Sequence, residues 1–292
     1  MRKYMVALLL LTIVFSACFG SPQHSVQLGL EAQVRNVVNL KDSAYVDGRK
    51  GLEAQYRLDS KPFDQLIKTT SDWKVRLLCQ IVVERVKKSN NIAEYLRTEP
   101  KLVKLGRGWE ERYEVGGRVL AEHGKDIPLF LVERLWRIYD LSDVELVDWE
   151  HVRYEQYGTE RALARAVGYL KVVEARELLE AELNPSFYVQ DFDKKSPKEQ
   201  KDILSYSHMR LQVIAAIGEI GSALSVPILL NALEAQIDEE TPTIFGSLAM
   251  ALRQCADRSV LPQLREKLVA TKSAAMREYL ERLIQRLEQG TK

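Results

Sequence analysis

The residues that could hold a metal ion are few in this 292-residue sequence. There are four histidines, His24, His123, His151 and His208, and three cysteines. Zinc and iron sites usually place two such residues a few positions apart, so that one loop or one helical turn brings both to the ion. No pair of histidines or cysteines has this spacing. The sequence therefore predicts neither a metal site nor a cofactor.

Acid–base and nucleophilic catalysis have equally weak signals. Glu122-His123 and Glu150-His151 place a carboxylate beside an imidazole in the sequence. Adjacent positions of a helix point about 100° apart, however, so these pairs do not converge. We interpret both histidines as surface or capping residues. The chain also lacks the Gly-x-Ser-x-Gly motif that presents a nucleophilic serine. We predict no catalytic residue.

The glycine pairs do not form a phosphate-binding loop. Gly116-Gly117 and Gly218-x-x-Gly221 lie within segments of helical pattern. A phosphate loop would need glycines at a defined spacing, such as Gly-x-Gly-x-x-Gly, between a strand and a helix. We expect these glycines to allow close helix packing and, at Gly221, to end a helix.

Cys79 and Cys255 lie 176 positions apart, each among apolar neighbours. A disulfide requires Cα atoms within about 7 Å of each other. Stacked helices lie 8–10 Å apart, and several would separate these two cysteines. We expect both to be buried free thiols.

Cys18 ends an apolar segment at the start of the chain. The stretch from 5 to 19 is about 15 residues long, shorter than the ~20 of a membrane-spanning helix, and follows two cationic residues. This pattern is typical of a secretory signal. Phe15-Ser16-Ala17-Cys18 resembles the lipobox of bacterial lipoproteins, which implies cleavage after Ala17 and acylation of Cys18. The alternative is cleavage after Gly20, which would release a soluble protein.

The charge balance gives no sign of a nucleic-acid partner. The sequence has 42 Lys and Arg residues against 41 Asp and Glu residues. Removing residues 1–17 leaves 40 against 41, because Arg2 and Lys3 are lost with the signal. A nearly neutral chain lacks the basic footprint of a protein that binds nucleic acid.

Apolar residues recur at helical spacing along almost the whole chain. The last helix is the clearest, since Ser273 is a suitable N-cap and Gly290 a suitable stop. Glu278 and Arg282 have the order that favours an i,i+4 ion pair. No segment shows strand alternation beside a hairpin turn, so we predict an all-α protein. The face of this helix that should be buried contains Met276, Tyr279, Leu280, Leu283, Ile284 and Leu287.

A helix–turn–helix layout recurs in the second half. Ile217–Leu233 and Leu252–Leu268 share it at an interval of 35 residues, and Pro227 and Pro262 stand in the first turn of the second helix. Val167–Leu183 fits without the proline. These segments resemble HEAT-type repeats of the short bacterial kind. The resemblance implies an α-α superhelix, a solenoid of helical hairpins in which each unit buries its apolar face against its neighbours.

The resemblance is clearest for 161–289 and weaker for 27–140. Lys171 stands where a turn glycine is usual in this family. The predicted organisation is a signal peptide (1–17), a lipidated cysteine with a short tether (18–26), an N-terminal helical region with degenerate repeats (27–155) and a HEAT-like repeat array (156–292).

Two groups of enzymes have similar repeats, but neither activity carries over. Di-iron deoxyhypusine hydroxylases bind metal through His-Glu pairs, and no histidine of this chain is followed by glutamate. Bilin lyases act on cytoplasmic pigment proteins, which conflicts with an export signal.

Two aromatic segments, 140–159 and 184–206, interrupt the repeats. Insertions in a solenoid collect on one face, which is often the binding face, and aromatic residues are frequent at interface hot spots. The alternative is that Trp149 and Tyr154 fill an irregular junction between the two halves. The candidate partner-binding residues are Trp149, Tyr154, Tyr157, Phe187 and Tyr188.

Taken together, the sequence favours a non-enzymatic scaffold or assembly factor in the bacterial cell envelope. A lipid on Cys18 would anchor it to a membrane, and the repeats would bind a protein or peptide. One alternative is an envelope enzyme, or enzyme subunit, whose reactive groups come together only in the fold. Another is a secreted soluble adaptor with the same repeats.

Overall fold

The structure is a computed structural model that describes residues 22–104, 111–137, 152–183, 197–236 and 242–290. Within these ranges the chain forms α-helices and short 3₁₀ turns without any β-strand, so the all-α prediction is confirmed. No helix in these ranges is both long enough and apolar enough to span a lipid bilayer.

The chain divides into two compact units. The first unit contains residues 1–92 and 137–147, and the second contains 93–136 and 148–292. Residues 93–136 therefore belong to the second unit. The sequence analysis placed them in the N-terminal region, 27–155.

The first unit is built around one central helix. Helix α4 packs against α1, α2 and α3, and its buried residues include Leu78, Ile81 and Val82. It begins at an N-cap, since the Asp72 carboxylate accepts bonds from the backbone N–H groups of the second and third residues after it. The four helices are α1 (Pro22–Val38), α2 (Asp42–Leu58), α3 (Lys61–Thr69) and α4 (Trp73–Lys87).

Arg137 closes the C-terminal end of α1. Its guanidinium donates hydrogen bonds to the backbone carbonyls of Val38, the last residue of α1, and of Leu40, two residues further on. The last carbonyls of a helix have no partner inside the helix. The same guanidinium lies 4.3 Å from the centre of the Tyr45 ring, a favourable cation–π distance. Helix α1 begins at Pro22, so residues 22–26 of the predicted tether are helical.

The second unit contains the remaining helices. Helix α5 (Ser89–Lys104) crosses the division between the units, which falls after Ile92. The others are α6 (Glu111–Gly124), α7 (Pro128–Trp136), α8 (Val152–Tyr169), α9 (Arg176–Ala181), α10 (Pro197–Ile220), α11 (Val226–Gln236), α12 (Pro242–Cys255), α13 (Leu261–Ala270) and α14 (Ala274–Gln289).

The long helices of the second unit pack in the order of the chain. Helix α6 contacts α8, α8 contacts α10, and α10 contacts α12. Each shorter helix, α7, α9, α11 or α13, packs against the helix that follows it. Helices therefore contact mainly their near neighbours in the sequence.

Residues 160–168 of helix α8 are enclosed on all sides of the helix. All nine residues from Glu160 to Gly168 are buried. They include Arg161 and Arg165. A helix at the edge of a bundle would leave one polar face in solvent. The charged residues in this part of α8 therefore need hydrogen-bonding or ion-pair partners inside the protein.

A 3₁₀ turn follows each of α8, α10 and α12. The turns cover Val173–Ala175, Ala223–Ser225 and Arg258–Val260. Lys171 and Gly221 occupy the same place before the first two turns, and both have positive φ, 51° and 69°. Glycine suits this position, because a left-handed conformation costs an ordinary L-residue about 1–2 kcal/mol.

Helix α14 has the predicted ends and buried face. The Ser273 hydroxyl accepts a hydrogen bond from the Met276 N–H, and Gly290 ends the helix at φ 71°. Met276, Leu280, Leu283 and Ile284 are buried, whereas Tyr279 and Leu287 are half-buried. The predicted ion pair between Glu278 and Arg282 is present.

Candidate functional site

The side chains of the predicted partner-binding residues are not described by the structure. Trp149, Phe187 and Tyr188 fall in ranges that are not described. Tyr154 and Tyr157 belong to helix α8, but their side chains are not described either. Whether these five residues share a surface stays a prediction. The same is true of the lipidation of Cys18, which precedes the described residues.

The described histidine and acidic residues do not form a metal centre. Glu122 and His123 near the end of α6 are both exposed, as expected for surface residues. Among the described residues, no three His, Cys, Asp or Glu side chains are grouped so that they could hold a metal ion.

Cys79 and Cys255 are free and buried, which confirms the prediction. Burial raises the pKa of each thiol from 9.0 to about 12 because a thiolate loses its solvation in the interior. The Cys255 Sγ lies 3.4 Å from the carbonyl oxygen of Ile217, to which the thiol donates a hydrogen bond. Both side chains act as small apolar core residues, since the nucleophilic form of cysteine is the thiolate.

We expect both thiols to resist a thiol reagent in the native protein. In a Cys18→Ser variant, 5,5′-dithiobis(2-nitrobenzoate) at pH 8 should react at least 100-fold more slowly than with the urea-unfolded chain, in which both groups react. The raised pKa also predicts lower stability as the pH rises from 9 towards 12, because only the unfolded chain then releases the thiol protons. Rapid labelling of one thiol in the native state would contradict this burial.

Glycines sit where the long helices of the second unit approach each other most closely. A Cβ on Gly168 would lie 2.7 Å from the Ala216 Cα, and one on Gly218 would lie 3.0 Å from the Ala251 Cα. A Cβ on Gly117 would lie 2.5 Å from the Cβ of Arg165. These contacts join α6 to α8, α8 to α10 and α10 to α12, so the prediction that Gly117 and Gly218 serve close packing is confirmed.

A charged network surrounds the crossing of α8 and α10. Arg165 on α8 pairs with Glu219 on α10 at 3.0 Å between Nη2 and Oε1. The same guanidinium donates a 2.8 Å hydrogen bond to the Tyr169 hydroxyl and lies 4.7 Å from the centre of the Tyr169 ring. Arg118 on α6 approaches that ring too, at 5.6 Å. The network therefore links three successive long helices.

This network is better suited to joining helices than to catalysis. A guanidinium is a poor general acid or base, because it does not release its proton at physiological pH. The Glu219 carboxylate forms an ion pair with it. The side chains of Arg165 and Glu219 are 9% and 22% exposed, so solvent screens their attraction only weakly. The sequence analysis missed these residues, because charged side chains are mostly found on surfaces.

The short helices of the second unit make a second set of contacts. The Ser225 hydroxyl donates to the Glu180 carboxylate at 2.7 Å, and the Lys267 ammonium lies 2.5 Å from the Glu234 carboxylate. These pairs connect α9 with the turn before α11, and α11 with α13. The first contact is a hydrogen bond to a carboxylate, and the second is an ion pair between two helices.

Exposed side chains also recur at equivalent positions of α11 and α13. Pro227 and Pro262 correspond to each other, as do Asn231 and Glu266, and all four are exposed. We call these four residues the short-helix face. It combines polar groups with small apolar surfaces and is open to solvent, so it could contact another protein chain.

A shallow depression lies along α1 in the first unit. Glu31, Ala32, Arg35, Asn36 and Asn39 line it. Arg35 pairs there with Glu31 at 3.0 Å and with Asp72 at 2.8 Å. The charges thus compensate one another, and the lining gives no indication of a particular ligand.

No protein-family model matches this sequence, and no curated protein is significantly similar to it.

Proposed function

We propose that this protein is a non-enzymatic scaffold or assembly factor built from HEAT-like repeats and anchored in a bacterial cell envelope. In this proposal the repeat array is an α-solenoid that binds a protein or peptide. A lipid on Cys18 holds the array at a membrane.

The observation that carries the proposal is the ordered packing of the second unit. Long helices contact each other in chain order, and short helices alternate with them. The turns after α8, α10 and α12 have the same 3₁₀ form. These features support a repeat array, since each unit of a solenoid contacts only its neighbours. Arrays of this kind use extended surfaces for binding.

The short-helix face is our choice for the binding surface. Its members come from two successive short helices, α11 and α13. A peptide lying across both helices would contact equivalent positions in turn. The two prolines have little side-chain entropy to lose on binding. Trp149 and Phe187 remain separate candidates for partner contacts, since aromatic residues are frequent at hot spots.

Site-specific photo-crosslinking tests the binding surface. The photoreactive residue p-benzoylphenylalanine, placed at Asn231 or at Glu266 in the full chain, should give the same discrete adduct in intact cells. The same residue at Met250, which is 63% exposed on the long helix α12, serves as the matched control and should give none. Adducts from Met250 alone, or none from any position, would contradict the proposal.

Palmitate labelling tests the anchor independently. Radiolabelled palmitate should enter the wild-type protein and not the Cys18→Ser variant, because acylation requires the thiol of that residue. The variant should also leave the membrane fraction, since acyl chains supply the membrane affinity. Equal labelling of the two proteins would exclude the lipobox interpretation and leave the repeat array unaffected.

A further inference from the structure

We draw no further inference here: the strongest candidate, the exposed apolar side chains of Val173 and Leu224 on the turns that follow helices α8 and α10, carries nothing because no feature of the structure shows what covers them.

Discussion

Replacing Gly168 by valine should lower the free energy of unfolding by about 3 kcal/mol, at the upper end of the usual cost of overpacking. The added Cβ would lie 2.7 Å from the Cα of Ala216, and a backbone atom cannot move aside as the end of a flexible side chain can. The added side chain would also displace the Glu219 carboxylate, whose Oε2 lies 2.6 Å from the Cβ position. Helices α8 and α10 would have to separate.

Urea unfolding followed by circular dichroism measures this effect, and Gly246→Val is the matched control. Gly246 is exposed within helix α12 and has no atom within 4 Å of an added Cβ. The control should remain within about 0.5 kcal/mol of the wild type, as is usual for surface substitutions. With a slope of about 2 kcal/mol/M, Gly168→Val should lower the midpoint by about 1.5 M. Similar midpoints for both variants would show that α8 and α10 are not in close contact at Gly168.

Arg165→Met should destabilise the protein by about 3 kcal/mol, the lower end of the cost of removing one partner of a buried ion pair. Methionine preserves much of the apolar stem, so the loss arises mainly from the charge and its hydrogen bonds. The Glu219 carboxylate would lose its 3.0 Å partner at a site where it is only 22% exposed. The Tyr169 hydroxyl would lose its 2.8 Å donor as well.

A double-mutant cycle separates the ion pair from general packing. Arg165→Met and Glu219→Gln each remove the same ion pair. The double variant should therefore be about 1 kcal/mol more stable than the sum of the single effects implies. Arg282→Met is the control, because its pair with Glu278 is exposed on both sides and exposed pairs contribute little. Additive effects of the two substitutions would show that Arg165 and Glu219 do not interact.

Local patterns in the sequence were sufficient to predict several elements. The ends and buried residues of α14 follow from a capping serine, a terminal glycine and helical periodicity, which act within one helix. The packing role of Gly218 and the helix end at Gly221 were predicted for the same reason. Lys171 was recognised as standing at the position of a turn glycine, and its φ is positive, a conformation that glycine adopts without strain.

Features that depend on contacts between distant segments could not be predicted. The sequence around Arg165 places charged residues on several faces of α8. From the sequence alone such residues are expected to be exposed to solvent. Glu160, Arg161 and Arg165 are buried because α6, α7 and α10 all pack against α8. The division of the chain near Ile92 likewise depends on which helices meet in space.

The glycine–alanine contacts between the long helices have a consequence for evolution. The spacing of α8, α10 and α12 depends on a hydrogen atom at Gly168 and at Gly218, and on small partners at Ala216 and Ala251. The apolar core positions of these helices tolerate many exchanges that keep the total volume. Homologous chains could therefore diverge until little common sequence remains, while the register between their helices stays the same.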